Sequence, residues 1–258
     1  MNIVVLIKQV PNTAEIKIDP VTKNLIRDGV PSIINPEDKN ALEEALRIKE
    51  KFGGKVTVVT MGPAQAEEAL REALAMGADE AVLLSDRFFA GADTYATAKT
   101  LSAFLKTVSY DLILCGRQAI DGDTAQVGPQ VANKLGIPQV TYVKYIEIDG
   151  DTVTVKRTLE DGYELIKVKM PVLLTVTKEL NTPRYPTIRG IFEAYQKTIR
   201  VVTAQDLGLN PEEIGLKGSP TRVVTIITPE HQRETEILTG GTKEVVNRLA
   251  EKVLSALK

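Results

Sequence analysis

Residues 3–7, Ile-Val-Val-Leu-Ile, form an unbroken apolar run, the pattern of a strand covered on both faces. A helix is expected over 35–52. Asn35 stands as its N-cap, Pro36 in its first turn, and Glu37 and Asp38 complement the dipole. Ala41, Leu42, Ala45, Leu46 and Ile48 recur at helical spacing, and Gly53-Gly54 stops the run. The alternation continues with strands over 55–60, 81–84 and 112–115 and helices over 63–76, 93–108 and 130–135. Strands alternating with helices predict an α/β fold, a doubly wound parallel sheet of Rossmann-like type with ligands at its carboxyl edge. Lys8-Gln9, Met61-Gly62, Ser85-Asp86 and the chain from Gly116 onward should all emerge there.

After Ile137 the texture changes. Runs over 140–148 and 152–155 flank Asp149-Gly150-Asp151, a hairpin signal, and Asp161-Gly162 marks a second turn before alternating 163–169 and apolar 172–176. These read as antiparallel strands extending the edge of the parallel sheet. A loop and helix follow over 180–200, then a weakly periodic, turn-rich stretch over 203–235. An amphipathic helix over 242–258 places Val245, Val246, Leu249, Val253 and Leu254 on one face. The expected division is an α/β domain over 1–200 and a C-terminal arm and helix over 201–258 that packs on a partner subunit.

The 258 residues, 43% hydrophobic and 26% charged, suit a globular protein with a substantial core. A net charge of −2 gives no reason to invoke nucleic acid or an anionic membrane surface. The one cysteine, Cys115, ends an apolar strand and reads as a buried, inert thiol. The one histidine, His231, reads as a solvated loop residue, without the company of a zinc site or a catalytic triad. No apolar run approaches the roughly 20 residues of a membrane span, and strand-like residues begin at Asn2 without a leader pattern, so a cytoplasmic location is expected.

The segment Gly116-Arg117-Gln118-Ala119-Ile120-Asp121-Gly122-Asp123-Thr124-Ala125-Gln126-Val127-Gly128-Pro129 carries the candidate chemistry. A strand opening into a polar, glycine-bearing loop before a helix is where α/β folds hold nucleotide phosphates on free N–H groups. Its spacing is neither GxGxxG nor a lysine-terminated phosphate loop. Its two aspartates suit ribose hydroxyls, adenine or backbone amides better than phosphate. Taken locally, a nucleotide loop and an ordinary strand-to-helix connection both remain open.

Several blocks in order carry a resemblance: 4–11 (VVLIKQVP), Asn35-Pro36, 61–65 (MGPAQ), 73–79 (ALAMGAD), the loop above, and 180–188 (LNTPRYPTI). Together they resemble the beta subunit of electron-transfer flavoproteins from Ile3 to about Arg200. The resemblance implies a nucleotide alpha-hydrolase-like fold in a heterodimer with a larger, FAD-bearing alpha subunit. It also disfavours the competing class, a stand-alone nucleotide-hydrolysing or stress-type protein. Carried over by position, the adenosine-phosphate pocket comprises Leu6, Asn35, Pro36, Glu37, Asp38, Met61 and the loop from Gly116 to Val127. Leu6 and Met61 would wall the base, and the 126–128 turn would donate to phosphate.

One branch of that family keeps a structural AMP in the beta subunit and carries electrons from dehydrogenases to a quinone reductase. Its loop resembles a run of acids followed by Cys-Asn-Gln-Thr-Gly. Here Gly122 splits the acids, and Gly91-Ala92-Asp93-Thr94 lies beside the crevice, with Asp93 or Thr94 as a helix cap or a cofactor contact. Both features resemble the bifurcating branch, with FAD in the beta subunit and NADH as the hydride source. There one electron goes to ferredoxin or flavodoxin, and the other goes through the alpha-subunit FAD to an acyl-CoA or other flavin dehydrogenase. No catalytic side chain and no metal are implied. Residues 178–200 resemble the loop that docks such dehydrogenases, with Ile188 as apolar anchor among Arg184, Tyr185 and Arg189. The alternative for Ile188 is a place in this subunit's own core.

Overall fold

The computed structural model describes residues 1–12, 17–18, 25–26, 31–222, 224 and 235–256, so the loop reading of His231 falls outside the described residues. In chain order the strands and helices are β1 (Asn2–Leu6), β2 (Gln9–Pro11), β3 (Lys17–Ile18), β4 (Leu25–Ile26), β5 (Ser32–Ile34), α1 (Pro36–Phe52), β6 (Lys55–Met61), α2 (Glu67–Met76), β7 (Glu80–Leu84), α3 (Thr94–Leu105) and β8 (Leu112–Gly116). They continue with α4 (Val127–Leu135), β9 (Gln139–Asp149), β10 (Thr152–Thr158), β11 (Tyr163–Lys169), β12 (Val172–Val176), α5 (Ile188–Gln196), β13 (Arg200–Val202) and α6 (Thr242–Ala256).

Nine strands form one sheet in the order β11-β10-β9-β12-β8-β1-β6-β7-β13. From β9 to β13 every neighbouring pair is parallel, and β9-β10-β11 is an antiparallel meander on one edge. The expected α/β class with an antiparallel extension is therefore the observed one. Ile3 and Val5 of β1 pack into one apolar layer with Leu42, Leu46, Leu70 and Leu74, from α1 and α2. Val4 and Leu6 pack into a second with Leu101, Phe104, Val131 and Ala132, from α3 and α4. Cover on both faces is why β1, β8 and β12 read as continuous apolar runs rather than alternating ones.

Three boundaries differ from expectation. The helix foreseen over 63–76 opens with a one-turn 3₁₀ segment at Ala64–Ala66, and α2 proper begins at Glu67. Asp93 stands outside α3 as its cap, and that helix ends at Leu105 rather than at 108. The break at 200/201 is also displaced. The compact units are Met1–Arg222 and Val223–Lys258. Residues 201–222 belong to the first because β13 pairs with β7, and Val202, Ala204 and Ile214 are buried in the second apolar layer. Turn-rich composition hid this, since apolar residues spaced irregularly in a loop bury as well as periodic ones do. Within the second unit α6 is amphipathic, and Arg248 and Lys252 pair with Glu236.

Candidate functional site

Parallel pairing brings the carboxyl ends of β1, β6, β7 and β8 to one edge, where the first turn of α1 also begins. Gly116 makes the junction possible. A Cβ there would fall 2.5 Å from Asp38 Oδ1 and 2.9 Å from the Asp38 nitrogen. The glycine lets Asp38 sit between two strand ends, accepting the Lys8 N–H on Oδ2 and the Gly116 N–H on Oδ1, each at 2.8 Å. Burial pushes the Asp38 carboxyl up to about 7, against the opposing pull of those two amides.

Asn35 shows a second such diversion. It occupies the N-cap position of α1 but makes no capping bond. Its side chain instead donates to the Gln118 carbonyl at 2.9 Å and accepts the Ile120 N–H at 3.0 Å. The expected capping role is thus replaced by one of holding the loop over 117–126. Glu37 adds a bond from the Gln118 N–H at 3.3 Å and an ion pair with Arg117 at 3.4 Å. Lys8 reaches Asp121 at 2.7 Å. Inside the loop the Asp123 N–H donates to the Ala119 carbonyl at 2.9 Å, and the Gln118 side-chain amide donates to the Asp123 carboxylate.

Beyond these restraints the backbone is strained. Asp123 and Ala125 have φ of 51° and 54°, the left-handed region, and Gln126 returns to the right-handed one at φ −108°, ψ −26°. For an alanine this costs on the order of 1–2 kcal/mol. Alternating left- and right-handed residues turn successive N–H groups toward one point, a concavity suited to an anion. Among the described residues, the N–H groups from Thr124 to Gly128 have no acceptor, and they lead directly into the N-terminus of α4.

Thr94 connects this concavity to α3. Its hydroxyl donates to Gln126 Oε1 at 3.1 Å and accepts from Gln130 Nε2 at 3.2 Å. Asp93 is committed elsewhere: its carboxylate caps α3 through the Ala96 N–H at 3.0 Å and accepts the Thr221 N–H and hydroxyl. Burial works against its ionisation, but those donors prevail and hold its carboxyl below the usual range. Of the two residues, only Thr94 is joined to the loop.

The site fits a nucleotide in two further respects. Among the described residues, Arg117 Nε and Gln130 Oε1 are buried beside it without a hydrogen-bond partner. Gly122 has no neighbouring atom where a Cβ would stand, so nothing in this chain's own packing requires a glycine there. Leu6 is buried in the second apolar layer, and Met61 is half-buried at the end of β6. Cys115, as expected, is a buried thiol, pushed up by burial and by the nearby Asp38 charge.

A second feature lies on α5. Ile188 is 90% exposed and Tyr185 92% exposed, so the core alternative for Ile188 is excluded. Ile191, Phe192 and Tyr195 are exposed too, and Ala194 is buried. Residues 188, 191, 192 and 195 form a helical stripe that sequence reading centred on Ile188 overlooked, although its spacing was available. Arg184 is already engaged within the chain: it donates to Glu43 at 2.9 Å and pairs with Glu50, anchoring the segment to α1. Arg189 is exposed and pairs with Glu193, one turn away.

Comparison with known proteins bears on both features. A family model described as "Electron transfer flavoprotein domain" matches residues 22–207. The chain belongs to the electron transfer flavoprotein family. It is 67% identical over 256 residues to the electron transfer flavoprotein subunit beta of Thermoanaerobacterium thermosaccharolyticum, covering 99% of this chain and 98% of the relative. It is 58% identical over 255 residues to that of Clostridium acetobutylicum, with 97% and 98% covered. It is 55% identical over 260 residues to "Caffeyl-CoA reductase-Etf complex subunit CarD" of Acetobacterium woodii, with 100% and 98% covered. The resemblance drawn from short blocks thus holds across the whole length, and two of these relatives are named as beta subunits. Membership of this family implies a flavin or nucleotide cofactor.

Proposed function

We propose that this beta subunit pairs with a larger alpha subunit and holds FAD at the carboxyl edge of its sheet, as part of a bifurcating electron transfer complex. The observation that carries the reading is the strained Ala125–Gln126 turn, whose free N–H groups converge at the head of α4. Strain of this kind persists where the surroundings enforce it, and a cofactor phosphate is the ligand it suits. When bound, the flavin supplies hydride acceptance from NADH and the division of the electron pair between a ferredoxin or flavodoxin and a second FAD in the alpha subunit.

This chain's own residues would bind and orient. The 124–128 amides meet the phosphates, Leu6 and Met61 border the base, and Asn35, Glu37 and Asp38 fix the loop from beneath. Thr94 holds Gln126 in place. The open space at Gly122 supports FAD over AMP, because it leaves clearance for the larger cofactor. Similarity to proteins named for caffeyl-CoA and acryloyl-CoA reductase complexes supports a dehydrogenase partner acting on an acyl-CoA. The exposed stripe of α5 is the surface proposed to receive it. The single, buried cysteine suits a reducing, cytoplasmic setting.

Acid extraction of nucleotides from the freshly purified heterodimer, repeated after incubation with excess FAD, tests the assignment. Two FAD per heterodimer is expected. AMP with a single FAD in both preparations would overturn it in favour of the conventional carrier.

A further inference from the structure

The loop that carries the free amides also carries Asp121 and Asp123, which would repel a phosphate drawn to those amides. Each acid is answered within the chain. Asp123 receives the Gln118 side-chain amide. Asp121 is answered from 113 residues earlier: Lys8 Nζ lies 2.7 Å from both of its carboxylate oxygens. Arg117, another cation at this edge, is already engaged by Glu37 at 3.4 Å and lies over the Tyr142 ring at 5.5 Å.

The Lys8–Asp121 pair is half-exposed, with side-chain exposures of 48% and 30%, and pairs of this kind contribute little to folding. Its placement matters more than its strength. Asn35 and Glu37 hold the loop from the side of α1. Lys8, just past the end of β1, holds it one residue further on, at Asp121. Two of the three ammonium donors are spent on Asp121.

We propose that Lys8 is a positioning residue of the nucleotide crevice. By chelating Asp121 it cancels that acid and holds the loop so that the 124–128 amides face an adenosine phosphate, without itself touching the phosphate. The proposal rests on the nucleotide reading above, but it applies equally to FAD and AMP, which share a phosphate on the adenosine 5′ carbon.

The test is a double-mutant cycle on the nucleotide-stripped heterodimer, titrated with FAD and with AMP in parallel. Lys8→Gln should weaken the nucleotide that binds by roughly tenfold or more, corresponding to one uncompensated charge near a phosphate. The deficit should shrink as salt is raised, because the repulsion is screened. Lys8→Arg should retain most of the affinity. Lys8→Gln combined with Asp121→Asn should regain most of what Lys8→Gln alone lost. Thermal unfolding of each variant, expected within a few degrees of the parent, separates a folding defect from a binding one. A double variant no better than Lys8→Gln would mean that Lys8 contacts phosphate directly, and would overturn the proposal. Unaltered affinity in Lys8→Gln would also overturn it. Failure of both nucleotides to bind the unsubstituted heterodimer would instead overturn the nucleotide reading itself.

Discussion

Asn35 Oδ1 accepts the N–H of Ile120, 85 residues further along the chain, at 3.0 Å. The same side chain donates to the Gln118 carbonyl, so one buried amide supplies both halves of a two-point grip on the loop. Capping of α1 is given up for this purpose, leaving Pro36 and the acids of the first turn to begin the helix.

Asn35→Ala should therefore loosen the loop. It leaves a donor and an acceptor unsatisfied, a loss on the order of 1–3 kcal/mol in unfolding free energy. Nucleotide affinity should fall with it. Asn35→Asp should be nearly as damaging, because it keeps the acceptor for Ile120 but turns a carboxylate oxygen toward the Gln118 carbonyl. Chemical denaturation and nucleotide titration of both variants check this, and full affinity in Asn35→Asp would mean that the Gln118 contact is dispensable.

Gly116→Ala tests the packing of α1 against β8. The added Cβ would stand 2.5 Å from Asp38 Oδ1 and 2.9 Å from backbone atoms of Asp38 and Glu37, and those backbone atoms cannot move without shifting the helix. A loss of roughly 1–3 kcal/mol is expected from overpacking of this kind. Gly122→Ala meets open space, so this chain should keep its stability. A melting temperature lowered equally by both substitutions would contradict the contrast.

The sheet was legible because cover on both faces leaves apolar runs such as 3–7 and 112–115, and because Gly150 with its neighbours declares a hairpin. The loop was legible as a segment, but its mechanism was not. No local pattern announces that Asn35 will serve a segment 85 residues away, or that Ala125 will adopt a glycine-like backbone. Residues 201–222 were misassigned to the arm because loop residues bury without periodicity. Arg184 appeared available for docking because its acid partners, Glu43 and Glu50, lie more than a hundred residues away on α1. Short-range signals place elements, while the grip between elements depends on the assembled fold.

Asp38 makes stability depend on pH in a definite direction. Its carboxyl sits at about 7 in the folded chain against an ordinary 3.8, so the folded state holds the proton more tightly. The associated stabilisation is complete below the ordinary value and is lost as pH rises from about 4 through 7. Relative to Asp38→Asn, which cannot titrate, the parent should lose unfolding free energy between pH 5 and pH 8. Urea denaturation of the pair across that range reads the difference directly. A constant difference would mean that Asp38 stays ionised throughout.

The exposed stripe on α5 gives the last prediction. Ile188 is 90% and Phe192 68% exposed, so their own subunit gains little from them. Ile188→Glu and Phe192→Glu should leave the melting temperature and flavin content unchanged, since substitutions away from packed groups stay within about 0.5 kcal/mol. Affinity for the proposed dehydrogenase partner should nevertheless fall by roughly 2 kcal/mol or more, because a carboxylate would be buried without a partner in the complex. Arg184→Ala should behave differently. It leaves buried Glu43 with Arg47 alone of its two arginine partners and releases the segment from α1, so stability and docking should decline together. Binding measured by calorimetry beside thermal unfolding distinguishes the two classes. If Ile188→Glu and Phe192→Glu both bind as the parent does, the partner must dock elsewhere. If Arg184→Ala weakens docking without loss of stability, Arg184 meets the partner directly, and its anchoring role would be secondary.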